Sequence, residues 1–157
     1  MKKGPKIALF IFNLLSGLAA FVYSFFLFFI GLFAEALVAA FTLGHADADG
    51  AILAMFAPTS LILIFVGIVA IVGAILSFIK KRSKGLNIAG GIVMSLAALL
   101  MLIAVLVLFI NIGFSGDNYK AFIVIGLIAL IHIALYVLTA LFGNFLLLKK
   151  KEEVVNA

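Results

Sequence analysis

Four long apolar runs, at positions 7–41, 51–79, 86–112 and 121–148, are separated by three short polar breaks and followed by a polar tail. An uninterrupted apolar run of about 18 or more residues reads as a membrane-crossing helix, and all four exceed the roughly 20 residues that cross a hydrocarbon core about 30 Å thick. The pattern therefore predicts an all-α integral membrane protein. It is expected to form a four-helix transmembrane bundle, a single domain over residues 1–157 with spans at about 7–34, 57–79, 86–112 and 121–148. At about 1.5 Å per residue every run overshoots the core, so the helices tilt or extend past the headgroups. Pro58 suits the first turn of the second helix if that helix begins near Ala57, which leaves 51–56 as a short interfacial piece. Asp49-Gly50 and Gly116-Asp117-Asn118 are turn chemistry. Asp49 or Thr59 is the expected cap of the second helix, and Ser115 or Asp117 that of the fourth.

Charge changes the picture by orienting it. Lys2, Lys3 and Lys6 precede the first run, Lys80, Lys81, Arg82 and Lys84 lie in the second break, and Lys149, Lys150 and Lys151 follow the fourth run. Of the eleven Lys and Arg, Lys120 alone falls on the other side, in company with Asp47, Asp49 and Asp117. This is a positive-inside pattern with both the N and C termini cytoplasmic. The net charge of +5 is thus a topology signal, with weak attraction to anionic headgroups as its by-product. No nucleic-acid partner is expected. The first run also has a basic start and an Ala34-Glu35-Ala36 that mimics a cleavage site, but its apolar stretch far exceeds the 7–15 residues of a secretory signal, so it is read as a retained span.

Composition sharpens the class: 68% of residues are hydrophobic and 11% charged, against roughly 45–50% and 25% in an ordinary soluble domain. With no cysteine, disulfides, thiol redox chemistry and Cys-ligated metal sites are excluded. An offset of 78 residues superposes Lys2, Lys3 and Lys6 on Lys80, Lys81 and Lys84, and Leu18-Ala19-Ala20 on Leu96-Ala97-Ala98. Gly73 and Gly143 likewise precede basic clusters. Two tandem helical hairpins of one orientation, or chance matches in a Leu- and Ala-rich chain, both account for this. Helix packing is expected at small-xxx-small pairs: Ser16 with Ala20, Gly73 with Ser77, and Gly91 with Ser95. Phe25, Phe26, Phe28 and Phe29 form nearly a full turn of the first span, so some of them face lipid.

Candidate chemistry within the slab is sparse. His132 is the titratable residue deep inside it, open to proton relay, metal ligation or a hydrogen bond to a neighbouring helix. A neutral imidazole bonded to a backbone carbonyl or to a Ser or Tyr hydroxyl is the plainer reading, because no acid shares its depth. Glu35, about 43 Å of helix beyond Lys6, is an outer-interface residue expected near Asn111 and Tyr119. Asn13, Asn87 and Asn144 fall within two turns of the cytoplasmic face and either hydrogen-bond across the bundle or line a polar vestibule. His45-Ala46-Asp47-Ala48-Asp49-Gly50 mimics the start of an EF-hand loop, but His45 occupies the first ligand position and Phe56 the twelfth, where a bidentate Glu is required. Gly85 and Gly90 have P-loop spacing without the Lys-Ser/Thr that must follow. Gly113-Phe114-Ser115-Gly116 lacks the frame of a nucleophile elbow.

The basic start, the Lys80-Lys81-Arg82-Ser83-Lys84-Gly85 break with its Gly-rich helix start, and the Lys-rich tail resemble small uncharacterised four-span bacterial membrane proteins. The resemblance covers the chain in layout and implies a bacterial plasma-membrane location with no activity to transfer. Claudins share the span count but carry a Trp and Cys signature and a long first loop that are missing here. The expectation is a non-enzymatic multi-pass cell-membrane protein without cofactor or metal. Its partners would be the lipid bilayer and a second copy or another membrane protein. The alternative is a small transporter or channel using His132 or an Asn13, Asn87 and Asn144 cavity.

Overall fold

The computed structural model describes residues 3–41, 51–79, 84–112 and 119–145, all but Ile79 of them helical. Helix α1 runs Lys3–Phe41, α2 Ala51–Phe78, α3 Lys84–Ile112 and α4 Tyr119–Leu138, and α4 passes without a break into a π-helix at Thr139–Phe145. Stretches Ile7–Val38, Ala54–Phe78, Gly85–Asn111 and Ile123–Phe142 are each long and apolar enough to cross a membrane. Helix is the conformation such segments take in lipid, where each backbone N–H and C=O must find its partner within the segment.

Two boundaries and one helix type differ from the sequence expectation. Helix α1 continues to Phe41 rather than ending near position 34. Helix α2 begins at Ala51 and carries Pro58 inside it, because giving up one backbone bond costs less than unwinding a whole apolar turn. The fourth span is not uniformly α-helical. At its changeover the Thr139 hydroxyl donates to the Leu135 carbonyl at 2.9 Å, competing with the backbone N–H for the same acceptor, and the wider i→i+5 turns follow.

Consecutive helices pack side by side, α1 on α2, α2 on α3, and α3 on α4 and the π-helix, while α1 meets α4 at few positions. The start of α1 lies against the end of α2, where the Phe10 and Phe78 rings stack at 4.5 Å, and Asn111 near the end of α3 reaches Met55 near the start of α2. We call the half of the molecule holding the start of α1 and the π-helix proximal, and the other half distal. More than half of the buried core is alanine, including Ala20, Ala70, Ala97, Ala104, Ala129 and Ala140. Small side chains let backbones approach where lipid removes the hydrophobic drive for helices to associate. Gly17 and Gly67 make one such close approach. A Cβ on Gly17 would sit 3.2 Å from the Gly67 carbonyl oxygen, and one on Gly67 3.0 Å from the Gly17 oxygen.

Large apolar side chains point the other way. Phe25, Phe26, Phe28 and Phe29 are all exposed, as are Phe33, Phe65 and Ile110, while Asn13, Ser16, Ser24, Thr59, Ser60, Asn87, Thr139 and Asn144 are buried. Polar groups inside and bulky apolar groups outside is the arrangement for which lipid, not water, is the solvent. The basic residues at 80–82 and 149–151, the acidic turn at 45–50 and the cap candidates Ser115 and Asp117 lie outside the described residues, so the orientation of the termini rests on the sequence.

Candidate functional site

The proximal half is held by a chain of polar side chains. Asn13, on the inner face of α1, donates through Nδ2 to its own helix at the Leu9 carbonyl and to Thr139 Oγ1, both at 2.6 Å. Asn144 Nδ2 donates to the Thr139 carbonyl at 3.0 Å and to Ser77 Oγ at 3.1 Å. Thr139 thus joins Asn13 to Asn144, and the chain ties α1 to the π-helix and the π-helix to α2. Three residues further along α1, Ser16 Oγ donates to the Tyr136 hydroxyl at 2.7 Å. Gly90 makes room for this arrangement, since a Cβ there would lie 2.6 Å from Asn144 Oδ1. Asn87 is buried one turn earlier on α3. The π-helix matters to this geometry: with i→i+5 spacing, the Asn144 side chain turns back onto the Thr139 carbonyl while still reaching Ser77.

The small-residue pairs take unequal parts. Ser16, Ala20 and Gly73 are buried between helices, Gly73 against Met94, and Ser77 is the partner of Asn144. Gly91 is buried, whereas Ser95 is exposed and donates back to the Gly91 carbonyl at 2.9 Å. His132 is half-buried, with Nδ1 2.8 Å from the Ile128 carbonyl one turn back on its own helix. Its ring meets Tyr23 and Tyr136 edge-on, with centroids 5.8 and 6.4 Å away. Glu35 is half-buried on distal α1. Asn111 Nδ2 donates to the Met55 carbonyl at 3.0 Å. Among the described residues no three His, Cys, Asp or Glu side chains converge on a point that could hold a metal ion.

Sequence reasoning passed over several residues that build the interior. Ser24 and Ser60 form a reciprocal pair across α1 and α2, each hydroxyl donating to the other residue's carbonyl at 2.9 Å. Thr139 and Tyr136 supply the partners for Asn13 and Ser16. The available signal was the repetition of hydroxyl residues at one level on different spans; the Asn residues stood out because amides are rarer in such a chain.

The distal half is organised differently. Two hydrogen bonds between α1 and the fourth span, Asn13 to Thr139 and Ser16 to Tyr136, lie in the proximal half. Beyond them a cavity of about 400 Å³ is lined by all four helices. Tyr23 and Phe26 of α1 and Ile125 and Ile128 of α4 contribute, with Thr59 and Leu63 of α2 and Ala104 and Leu108 of α3. The α2 and α3 residues are buried while Phe26 and Ile128 are exposed, so α1 and α4 form the rims of a groove and α2 and α3 its floor. The lining is apolar but for the hydroxyls of Tyr23 and Thr59, and Thr59 Oγ1 is buried without a hydrogen-bond partner.

Four apolar helices of spanning length, an interior of cross-bonded polar groups and an outer surface of large apolar side chains define a multi-pass membrane protein. No known protein family, curated protein or solved structure matches the chain.

Proposed function

We propose that this chain is a non-enzymatic, four-helix bundle protein of a cell membrane, with both termini cytoplasmic, that acts by lateral association with a second component of the bilayer at the groove between α1 and α4. The observation that supports this reading is how the intramembrane polar groups are used. Asn13, Asn144, Ser16, Tyr136, Ser24, Ser60 and Thr139 are bonded to one another or to the backbone, and the recess between α1 and α4 is an apolar one open towards lipid. An apolar concavity with few polar groups is the ordinary form of a binding site, and within a bilayer its ligands arrive sideways. The transporter reading draws less support. Asn13, Asn87 and Asn144 are buried, Asn13 and Asn144 are joined through Thr139, and His132 bonds within its own helix. The bacterial plasma membrane is the location that the layout resemblance implies.

A photoreactive amino acid placed at Ile128, on the rim, and irradiated in native membranes should give a discrete adduct that Ala104→Phe or Ala129→Phe suppresses. The same probe at Ile110, which faces outward on α3, should give diffuse labelling. Equal behaviour of the two positions, insensitive to both filling substitutions, would defeat the proposal.

A further inference from the structure

We propose that the occupant of the groove is the acyl portion of a bilayer phospholipid, whose ester carbonyl accepts a hydrogen bond from Thr59 Oγ1; this rests on the lateral-association reading and names the partner. Shape argues for a flexible chain over a protein helix. The groove is confined to the distal half because Ser16–Tyr136 and Asn13–Thr139 close the seam below it. Along α3 its floor runs from Met101 to Leu108, about 10 Å at the helical rise. A transmembrane helix about 10–12 Å wide and spanning a core of about 30 Å would meet this floor along only about a third of its length. An apolar cavity of about 150 Å³ takes a six-carbon ring. The 400 Å³ here therefore has room for about sixteen carbons by the same scaling.

Thr59 supplies the second, independent observation. A helical threonine ordinarily satisfies its hydroxyl on the carbonyl four residues back. For Thr59 that is Met55, whose oxygen receives Asn111 Nδ2 at 3.0 Å, and Thr59 Oγ1 has no partner although the residue is only 1% exposed. A buried hydroxyl left unpaired is costly, and Thr59 is a lining residue of the groove. Its depth fits an ester. The apolar stretch of α2 begins at Ala54 and has 25 residues, about 37 Å against a core of about 30 Å, which leaves Thr59 within about 4 Å of the core's distal edge. Acyl carbonyls lie at that edge, with their methylene chains running inward past Leu63, Ala104 and Met101.

The test uses the full chain in phosphatidylcholine vesicles carrying a diazirine midway along one acyl chain, with adduct positions mapped by mass spectrometry. Floor residues such as Met101 and Ala104 should be labelled, although they are buried. Ala104→Phe or Ala129→Phe should remove floor labelling, and Thr59→Val should lower it roughly three- to tenfold, the weight of one hydrogen bond. An ether-linked analogue without the carbonyl should label the wild type as weakly as the ester lipid labels Thr59→Val. Adducts confined to outward residues such as Phe25 and Ile110, or floor labelling indifferent to both Thr59→Val and the ether linkage, would overturn the proposal. A protein adduct at the Ile128 probe would overturn it too, while leaving lateral association standing; absence of any discrete adduct there would remove both.

Discussion

Asn144 donates to Ser77 and to Thr139 and presses its Oδ1 towards Gly90, so its side chain holds α2, α3 and the π-helix in one register. Asn13 is less heavily committed: one of its bonds stays within α1, and its Oδ1 is buried without a partner. Interhelical bonds in a membrane are worth about 0.6 kcal/mol on average and about 1.7 at most. Asn144→Leu should therefore cost about 1–2 kcal/mol, because it strands the Ser77 hydroxyl and crowds Gly90. Asn13→Leu should cost about 0.6 kcal/mol or less, because it also removes an unsatisfied oxygen. Reversible unfolding in mixed micelles ranks the two, and equal losses would contradict this assignment. His132→Phe keeps a ring beside Tyr23 and Tyr136 and gives up only a bond to its own helix, so stability should shift by less than about 0.5 kcal/mol. A larger loss in the same assay would show the imidazole holding something beyond Ile128. The Asn residues and His132 stood out in the sequence because amides and imidazoles are rare in apolar runs, but their partners did not. Which of many Ser and Thr hydroxyls meets an amide depends on helix rotation, which a run of uniform hydropathy does not encode.

Helix pairs differ in how closely they approach. Gly17 and Gly67 bring the α1 and α2 backbones together, and a Cβ on Gly17 would also meet Ile71 Cγ1 at 2.8 Å. Gly17→Val should destabilise the α1–α2 pair by about 1–3 kcal/mol. At Gly126 the nearest atom to an added Cβ is Phe109 Cζ at 3.9 Å, an ordinary contact, so Gly126→Ala should be neutral or stabilising by up to about 1 kcal/mol. The contrast is measured by thermal unfolding of the two variants in one detergent, and the reverse order would show that α1 and α2 are not packed as described. Small-residue spacing along the chain singles out Ser16, Ala20 and Gly73, yet the Gly17–Gly67 approach is one that no single helix reveals, since its two members sit on different spans. The π-helix was equally hidden. Its seven residues, Thr-Ala-Leu-Phe-Gly-Asn-Phe, read as apolar helix of either kind, and the choice is made by the side-chain bonds of Thr139 and Asn144. Deleting Ala140 would return this stretch towards α-helical spacing and turn Asn144 by about 100°, so Ser77 should lose its partner. Amide-to-hydroxyl contact is then tested by a Ser77→Cys, Asn144→Cys pair, which should crosslink in the parent and not in the deletion variant.

Taken whole, the architecture follows from the four apolar runs, because length and hydropathy alone require spanning helices in lipid. The groove does not follow from them. It opens beyond the Asn13–Thr139 and Ser16–Tyr136 bonds, between α1 and the fourth span, a relation between elements far apart in sequence and invisible to any periodicity within one of them. That one-sidedness has a mechanical corollary. A molecule with a groove in one half only meets the two leaflets differently. In the proximal leaflet, chain order and thickness act on a closed seam and change little. In the distal leaflet they bear on the groove rims, Phe26 of α1 and Ile128 of α4, whose separation can follow the packing pressure of the surrounding chains. Asymmetric vesicles, with saturated lipid in one leaflet and unsaturated lipid in the other, should therefore alter the distance between spin labels at Phe26 and Ile128 when the distal leaflet is changed, and leave it constant when the proximal leaflet is.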